Sequence, residues 1–553
     1  MSERITIPNN LPKPLLAVIM ALCLLGVAFV SGHLNKERGK MSPTYVEPLH
    51  DAPPMLSLAS EAFGGFRGVI STYLWHRSND MQQAKKYPEQ MQLNEWITQI
   101  QPHVPQAWSN RAWNLGYNIA SEFPDPETRW NYIYSSVKML RDDGIRYNPT
   151  EPLVYDSLAY FFEHKIGHNL DDFHRYYKFQ WLRMMINVLW ESEAASHAAK
   201  GVPDFDAFIN PNPNDAALLE RVRRLRQEFG LDPREMKAIH RRYGIARDYK
   251  GEIMKDAQGN PINCLDWRMA ETHSLYWASL GLKRCSLTPG RSKELHRLER
   301  KVYVAMMYTF QRGKMNTDSG RLRDFGSFSS ENLSAPNLDA AGTTHQAYMD
   351  IIKLAQESRD WHVTEGTSEI GHVHFLRRVI QWMYFFNREE EALEWLKLAV
   401  KIYSEDKQKS GGRELIKLFE GYDPETETYN LEDIVMAKVK EDRTRGSDSM
   451  TAALLVGTFN KHFLYLAEGN EEEASKYFDM AKEVHAAYQK KFEKSQTRMG
   501  IAEFDTIRMR RLQDFLQFQN SQVANAVRAA LGKPADWLPF PNPQNQGPPP
   551  GGE

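Results

Sequence analysis

From residue 56 onward, apolar side chains return at steps of three and four, as in GVISTYLWHR (68–77), QLNEWITQI (92–100) and WNYIYSSVKML (130–140). That spacing marks one buried helix face, whereas the alternation expected of a half-buried strand is scarce. The pattern predicts a body that is nearly all α-helix. Pro, Gly and Asp punctuate it in SEFPDPET, DDGIRYNPTEP and INPNPND. Such residues close one helix and open the next, and joints this short favour antiparallel neighbours.

Three stretches break the rhythm. Residues 14–32, PLLAVIMALCLLGVAFVSG, carry no charge, and a helix over 15–32 would be about 27 Å long, close to a bilayer core. A membrane anchor is expected there. The alternative is a cleaved signal peptide, against which stand the length of the run and a poor small-residue cleavage pattern. Arg4 and Lys13 precede the run while Lys36, Arg38 and Lys40 follow it, so flanking charge leaves the orientation open. A short tail before a first apolar helix stays cytoplasmic in most chains, which would export the body. Residues 317–344, rich in Ser, Gly, Asn and Asp, read as a long polar loop. Residues 533–553 end in NPQNQGPPPGGE and read as a disordered, Pro-rich tail.

Within the body, a proline and aromatic grammar appears twice. QPHVPQAW places Pro102, Pro105 and Trp108 at steps of three, and NPTEPLVY places Pro149, Pro152 and Tyr155 in the same way 47 residues later, with Ala112 and Ala159 in the same register. Near the C-terminus, NREEEALEWLKLAVKIY and GNEEEASKYFDMAKEVH align Ala392 with Ala474, Leu396 with Phe478 and Ala399 with Ala481. Repetition of this kind signals stacked supersecondary units. The Glu triplets at 389–391 and 471–473 suit helix starts, where carboxylates meet the positive end of the helix dipole.

Pro149, Tyr155, Leu158, Ala159 and Phe162 together resemble the tetratricopeptide repeat (TPR), as does the earlier copy Pro102, Trp108, Ala112 and Leu115, although Arg111 stands at that copy's leucine position. The resemblance covers roughly 90–190 and 370–495. Its spacings of 47 and 82 residues depart from the family's period of about 34. It implies helical hairpins stacked into a solenoid whose first helices line a binding groove. Carried onto this chain, the groove positions are Trp113 and Tyr117, Asp156 and Tyr160, and Arg377 and Gln381. More loosely, FRGVISTYLWHR and LDWRMAETHSLYWASLGL look like segments of a family of membrane-anchored bacterial proteins, some labelled "iron responsive element". No iron-binding signature accompanies them.

Composition narrows the function further. The 69 basic and 71 acidic residues nearly cancel, which removes the electrostatic footprint of a nucleic-acid binder. Three cysteines, Cys23, Cys264 and Cys285, are too few for a disulfide framework or a four-cysteine zinc site. Cys264 and Cys285 read as buried free thiols, with a bridge between them as the alternative. The motifs G-x-x-x-x-G-K, H-E-x-x-H, C-x-x-C-H and G-x-S-x-G are all missing, so no phosphate loop, zincin, haem attachment or nucleophile elbow is signalled. His164 and His168, with Asp171, Asp172 and His174, are the best metal ligands by residue type, but a polar helix end explains them more simply. His372 and His374 are two apart, so a helix points them in different directions. Trp75, Trp96, Trp108, Trp113 and Tyr117 could stack a ligand, but at helical spacing most of them read as core.

The combined expectation is an all-α, TPR-like α-solenoid behind an N-terminal transmembrane helix. Its parts are a tail (1–13), an anchor (14–32), a linker (33–55), a helical block (56–316), a polar loop (317–344), a second helical block (345–532) and a tail (533–553). It would act as a scaffold or adaptor in a bacterial envelope assembly, held in the inner membrane with its body outside the cytoplasm. Its partner would be a protein or peptide, with no catalysis, cofactor, metal or nucleic acid. The alternatives are a metal-dependent enzyme whose site forms only in three dimensions, and a self-associating structural protein of the envelope.

Overall fold

Helices begin where the sequence punctuates them. Asp125, ahead of Pro126, accepts from the Thr128 N–H at 2.7 Å, and Asp204 and Asp215 cap in the same way at 3.0 and 2.9 Å. Asp232, ahead of Pro233, accepts from Arg234 at 2.9 Å. Each side-chain oxygen satisfies an amide that the helix itself leaves without a partner. The computed structural model describes residues 67–169, 171–287, 292–315, 334–357, 365–404, 428–445, 448–492 and 503–540, with residues 419, 422 and 423 and ten residues between 18 and 33. Among these residues the chain forms 21 α-helices.

Residues 1–157 and 281–295 make one compact unit, and residues 158–280 and 296–553 a second. In the first unit, α1 (Arg67–Gln83) packs on α2 (Tyr87–Ile100), α2 on α3 (Pro105–Trp113) and α3 on α4 (Pro126–Met139). The short α5 (Ile145–Tyr147) follows, and α6 (Pro152–Tyr160) begins here. Leu74, Ile97 and Ala107 form a core cluster, and Trp108, Ala112 and Ile133 are buried as well.

The second unit continues with α7 (His174–Leu189), α8 (Glu193–Ala198), α9 (Phe205–Ile209), α10 (Ala216–Gln227) and α11 (Pro233–Tyr243). Most of α12 (Ala270–Cys285) and α13 (Ser292–Arg312) also belongs to it. Then come α14 (Ala341–Glu357), α15 (Glu365–Phe385), α16 (Glu389–Ser404), α17 (Leu431–Arg445), α18 (Asp448–Ala467), α19 (Glu471–Phe492), α20 (Phe504–Phe518) and α21 (Ser521–Ala530). Helix α15 packs on α16 and α18 on α19, while α15 and α18 also touch each other. The two hairpins turn alike. Asn387 and Gly469, 82 residues apart, hold φ of 61° and 74°. The N–H of Arg388 closes on Met383 O at 2.8 Å and that of Asn470 on Tyr465 O at 2.9 Å, a left-handed closure that satisfies the last carbonyls of a helix. Residues 389–391 and 471–473 then fill the first turns of α16 and α19, and Ala392, Leu396, Ala399, Ala474 and Ala481 are buried.

Strand content is small. In β1 (Lys314–Met315) and β2 (Ser334–Ala335), Lys314 pairs antiparallel with Ala335 and Met315 with Ser334. In β3 (Tyr422–Asp423) and β4 (Thr428–Tyr429), Tyr422 pairs with Tyr429 and Asp423 with Thr428. Between α11 and α12 the helical rhythm gives way to a loop stitched by three isolated bridges, Ile245 with Asn263, Arg247 with Ile253 and Lys255 with Pro261. Two similar turns build it. Asp248 Oδ1 accepts from the N–H groups of Lys250 and Glu252, both at 2.9 Å, and Asp256 Oδ1 accepts from Gln258 at 3.0 Å and Asn260 at 2.9 Å.

Several expectations meet the described residues only in part. In the expected anchor, Val18, Leu22, Leu25, Phe29 and Val30 are helical and exposed, while most of 14–32 lies outside the described residues. Among the described residues no helix is long and apolar enough to cross a membrane. In the expected loop, residues 317–333 lie outside the description, but β2 and a 3₁₀ turn (Leu338–Ala340) follow and α14 already opens at Ala341. In the expected tail, residues 533–540 are ordered: Arg528 Nε donates to Trp537 O at 2.9 Å and the Phe540 N–H to Gln513 Oε1 at 3.1 Å. Trp537, Leu538 and Phe540 supply the apolar material that the rest of the tail lacks. Residues 541–553 lie outside the description. Cys264 and Cys285 are buried free thiols, and burial pushes the Cys264 thiol up to about 12.

Candidate functional site

The two proline and aromatic copies are the same structure written twice. Helix α3 starts at 105, runs nine residues, and passes at Asn114–Ile119 into a six-residue π-helical segment. Helix α6 starts at 152, 47 residues on, runs nine residues, and passes at Phe161–Ile166 into a second six-residue π-helical segment. In both copies the aromatic ring reaches back to the same backbone atom. Trp108 Nε1 donates to Pro102 O at 2.7 Å, and Tyr155 Oη to Pro149 O at 2.9 Å. Proline ends the previous helix and leaves its carbonyl without a helical partner; the ring six residues later supplies the donor and fills the space beside it. Tyr155→Phe keeps the ring and deletes the donor, along with the hydroxyl that accepts from Arg284 at 3.1 Å, whereas Trp108→Phe deletes the donor and also shrinks a buried indole to a phenyl ring. Tyr155→Phe is expected to lower stability by about 1 kcal/mol and Trp108→Phe by more, because it also leaves a cavity, both read from urea unfolding, while Trp113→Phe, at a ring that is 43% exposed, should cost less.

Each copy carries one stacked pair across the α–π junction. Trp113 and Tyr117 stack with ring centroids 4.1 Å apart and an interplanar angle of 13°. Tyr160 and His164, the residues 47 further on, stack at 4.6 Å and 15°. A π-helical segment widens the turn, and such segments recur at functional sites. Trp113 is 43% exposed and Tyr117 is half-buried, so the first pair presents an aromatic surface to solvent.

The second pair sits among charges, all within the second unit. Lys301 lies over the Tyr160 ring, 4.8 Å from its centroid, and pairs with Glu163 Oε2 at 3.1 Å. Lys165 Nζ donates to Asp171 Oδ2 at 2.7 Å, and Asp171 Oδ1 accepts from Tyr177 Oη at 2.9 Å. Burial alone would raise the Asp171 carboxyl, but Lys165 and these donors hold it below its ordinary value. Arg312 Nε donates to Glu271 Oε1 at 2.5 Å with both side chains 2% exposed, and its Nη2 donates to Glu163 O at 2.7 Å. Burial, with Arg312, Lys165 and Lys301 nearby, lowers His164 to about 4. Burial also drives His174 far below its usual range, helped by Lys178 and Arg175. Gly167 ends this segment for a steric reason: a Cβ there would lie 2.6 Å from Glu271 Oε1. At neutral pH the histidines are therefore uncharged and the local charge is carried by Lys, Arg and carboxylates.

The remaining expected groove residues lie elsewhere. Asp156 is half-buried. Arg377 is buried and pairs with Glu441 at 2.8 Å, and Gln381 is fully buried on the same helix, α15. Beside them Arg378 and Lys438 share Asp442 at 3.0 and 2.8 Å. Arg377 and Gln381 thus belong to the interior of their unit and do not face an open groove. Their aliphatic and amide portions pack inward because α17 places its carboxylates on that side.

Among the described residues, no group of three or more His, Cys, Asp or Glu side chains could hold a metal ion. The His164 and His168 rings stand 5.8 Å apart, and the His168 Nδ1 accepts from the Asn169 N–H at 2.9 Å. The sequence reading missed a file of rings around the fully buried His372: His345 Nδ1 lies 2.8 Å from His372 Nε2, and His372 Nδ1 lies 2.7 Å from Tyr403 Oη. These residues sit on α14, α15 and α16, and nothing in their local spacing signals that they meet.

No protein family, curated protein or solved structure matches the chain. What it does must be argued from its own geometry.

Proposed function

We propose that this protein is a membrane-tethered, TPR-like scaffold that holds a peptide segment of a partner protein in a bacterial envelope assembly. The supporting observation is the 47-residue repetition, which reproduces helix length, π-helical segment, aromatic-to-proline bond and stacked ring pair in register. Stacked helical repeats bring equivalent positions of successive first helices to one surface, and that surface is how such proteins bind. The like-turned hairpins α15–α16 and α18–α19 extend the same logic. An exposed, pre-stacked Trp–Tyr pair suits recognition of a peptide, because two rigid rings supply contact area at little entropic cost.

The apolar run at 14–32 would tether the body to the inner membrane, with the body on its outer side. The reading is tested by affinity capture of the full chain from gently solubilised membranes, followed by mass spectrometry. An envelope protein should be recovered, and Trp113→Ala should weaken its capture by about tenfold or more while remaining folded at the temperature of capture. Recovery of no envelope protein above a control, or equal capture by the variant, would overturn it.

A further inference from the structure

The second unit holds an open crevice of about 390 Å³, lined by Arg241, Arg242, Arg247, Thr343, Gln346 and Asp350 among others. Its charge is lopsided. Asp350, its single acid, pairs with Arg242 at 3.3 Å and accepts from Gln346 Nε2 at 2.9 Å. Arg241 is exposed and makes no ion pair with a described residue. Among the described residues Arg247 donates to a backbone carbonyl, Gly251 O, at 2.7 Å, and makes no ion pair. The crevice therefore keeps two guanidinium charges without a carboxylate, in a chain whose overall charge is −2.

Helix-end electrostatics accounts for part of this. Arg241 and Arg242 fill the last turn of α11, where cations offset the negative end of the helix dipole. It does not account for Arg247, which comes from the bridged loop and faces the same space. That loop is fixed in place. Arg247 O and Asp248 O approach α14 so closely that a Cβ on Gly342 would lie 2.1 and 2.4 Å from them. Thr343 Oγ1 donates to Ile245 O at 2.7 Å. The two Asp-x-x-Gly turns brace the loop from within. A guanidinium fork anchored like that of Arg247 matches planar or tetrahedral oxyanions with two parallel bonds, and on its side of the crevice little ordering cost is left to meet on binding.

We propose that this crevice binds a small molecule bearing a phosphate or pyrophosphate group. Two surplus charges match a dianion, and a crevice of about 390 Å³ falls in the range of small-molecule sites and exceeds what a single phosphate fills. The site is separate from the aromatic pairs and does not depend on the scaffold reading. Arg241 and Arg247 would grip the anion, and the exposed Gln346 would bond the rest of the ligand.

Calorimetric titration of the full chain with sodium pyrophosphate, inorganic phosphate and, as a carboxylate control, malonate tests the assignment. Pyrophosphate should bind saturably at one site, more tightly than phosphate and far more tightly than malonate, and added salt should weaken it. Arg241→Ala, at an exposed side chain the fold does not use, should reduce the affinity about tenfold or more. Arg247→Lys, which keeps the charge and loses the fork, should also weaken binding. The proposal fails if neither phosphate binds saturably, if malonate binds as well, or if Arg241→Ala leaves the affinity unchanged.

Discussion

Replacing Arg312 with alanine should destabilise the protein by about 3–5 kcal/mol, among the largest losses any single substitution here would cause. Arg312 and Glu271 are each 2% exposed and meet at 2.5 Å. Removing the guanidinium strands the Glu271 carboxylate in the interior and also deprives Glu163 O of its donor. The loss comes from the charge left behind and not from the worth of the pair, since two charges taken out of water recover little more than their desolvation cost. The double variant Arg312→Met with Glu271→Leu should therefore regain most of the stability lost in Arg312→Ala. Urea unfolding of the three proteins decides the matter; a loss below about 1 kcal/mol in the single variant would contradict the account.

The second large effect is a loss of stability in mild acid. Burial lowers His273 to about 4 even though Trp267 O accepts from its ring, and lowers His345 to about 4. Burial lowers His372 far below its usual range, with His345 adding to the effect. In the unfolded chain each returns to about 6.5, so between those values the unfolded state binds more protons and stability rises with pH. The contribution is complete above about pH 6.5 and disappears as pH falls toward 4. At pH 5, His273 and His345 together should withdraw about 4 kcal/mol relative to neutral pH. Urea midpoints measured from pH 7 to 4.5 should fall throughout that interval, and His345→Gln should flatten the slope. A midpoint constant down to pH 5 would show that these rings are already charged in the folded protein. Asp171 and Asp442, held low by Lys165 and by Arg378 against the opposing effect of burial, extend the loss at still lower pH.

The aromatic copies were legible because their cause is local. A proline six residues before a ring needs only the chain between them to place a carbonyl within the ring's reach, so QPHVPQAW and NPTEPLVY carry their geometry in their spacing. The same holds for the Glu triplets and the helix caps. The bridged loop between α11 and α12 was equally local. DYKGE and DAQGN, with glycines at φ of 86° and 84°, are eight residues apart, and a search for short turn repeats would have found them. The groove positions fared differently. Trp113 and Tyr117 stand at the surface, whereas Arg377 and Gln381 are buried, because a residue's place in a repeat fixes its helix face but not what the next helix lays against that face.

What the amino-acid order determined by itself is the helical character of the body, the starts and stops of its helices, and the repeated ring-to-proline closure. All of these are settled by atoms within about two helical turns of one another. Tertiary structure alone decided which charges are buried and with whom: Arg312 finds Glu271 from 41 positions away, and Arg378 finds Asp442 from 64. Such pairings leave no period in the sequence, because desolvation and packing are properties of the space between helices and not of any one of them.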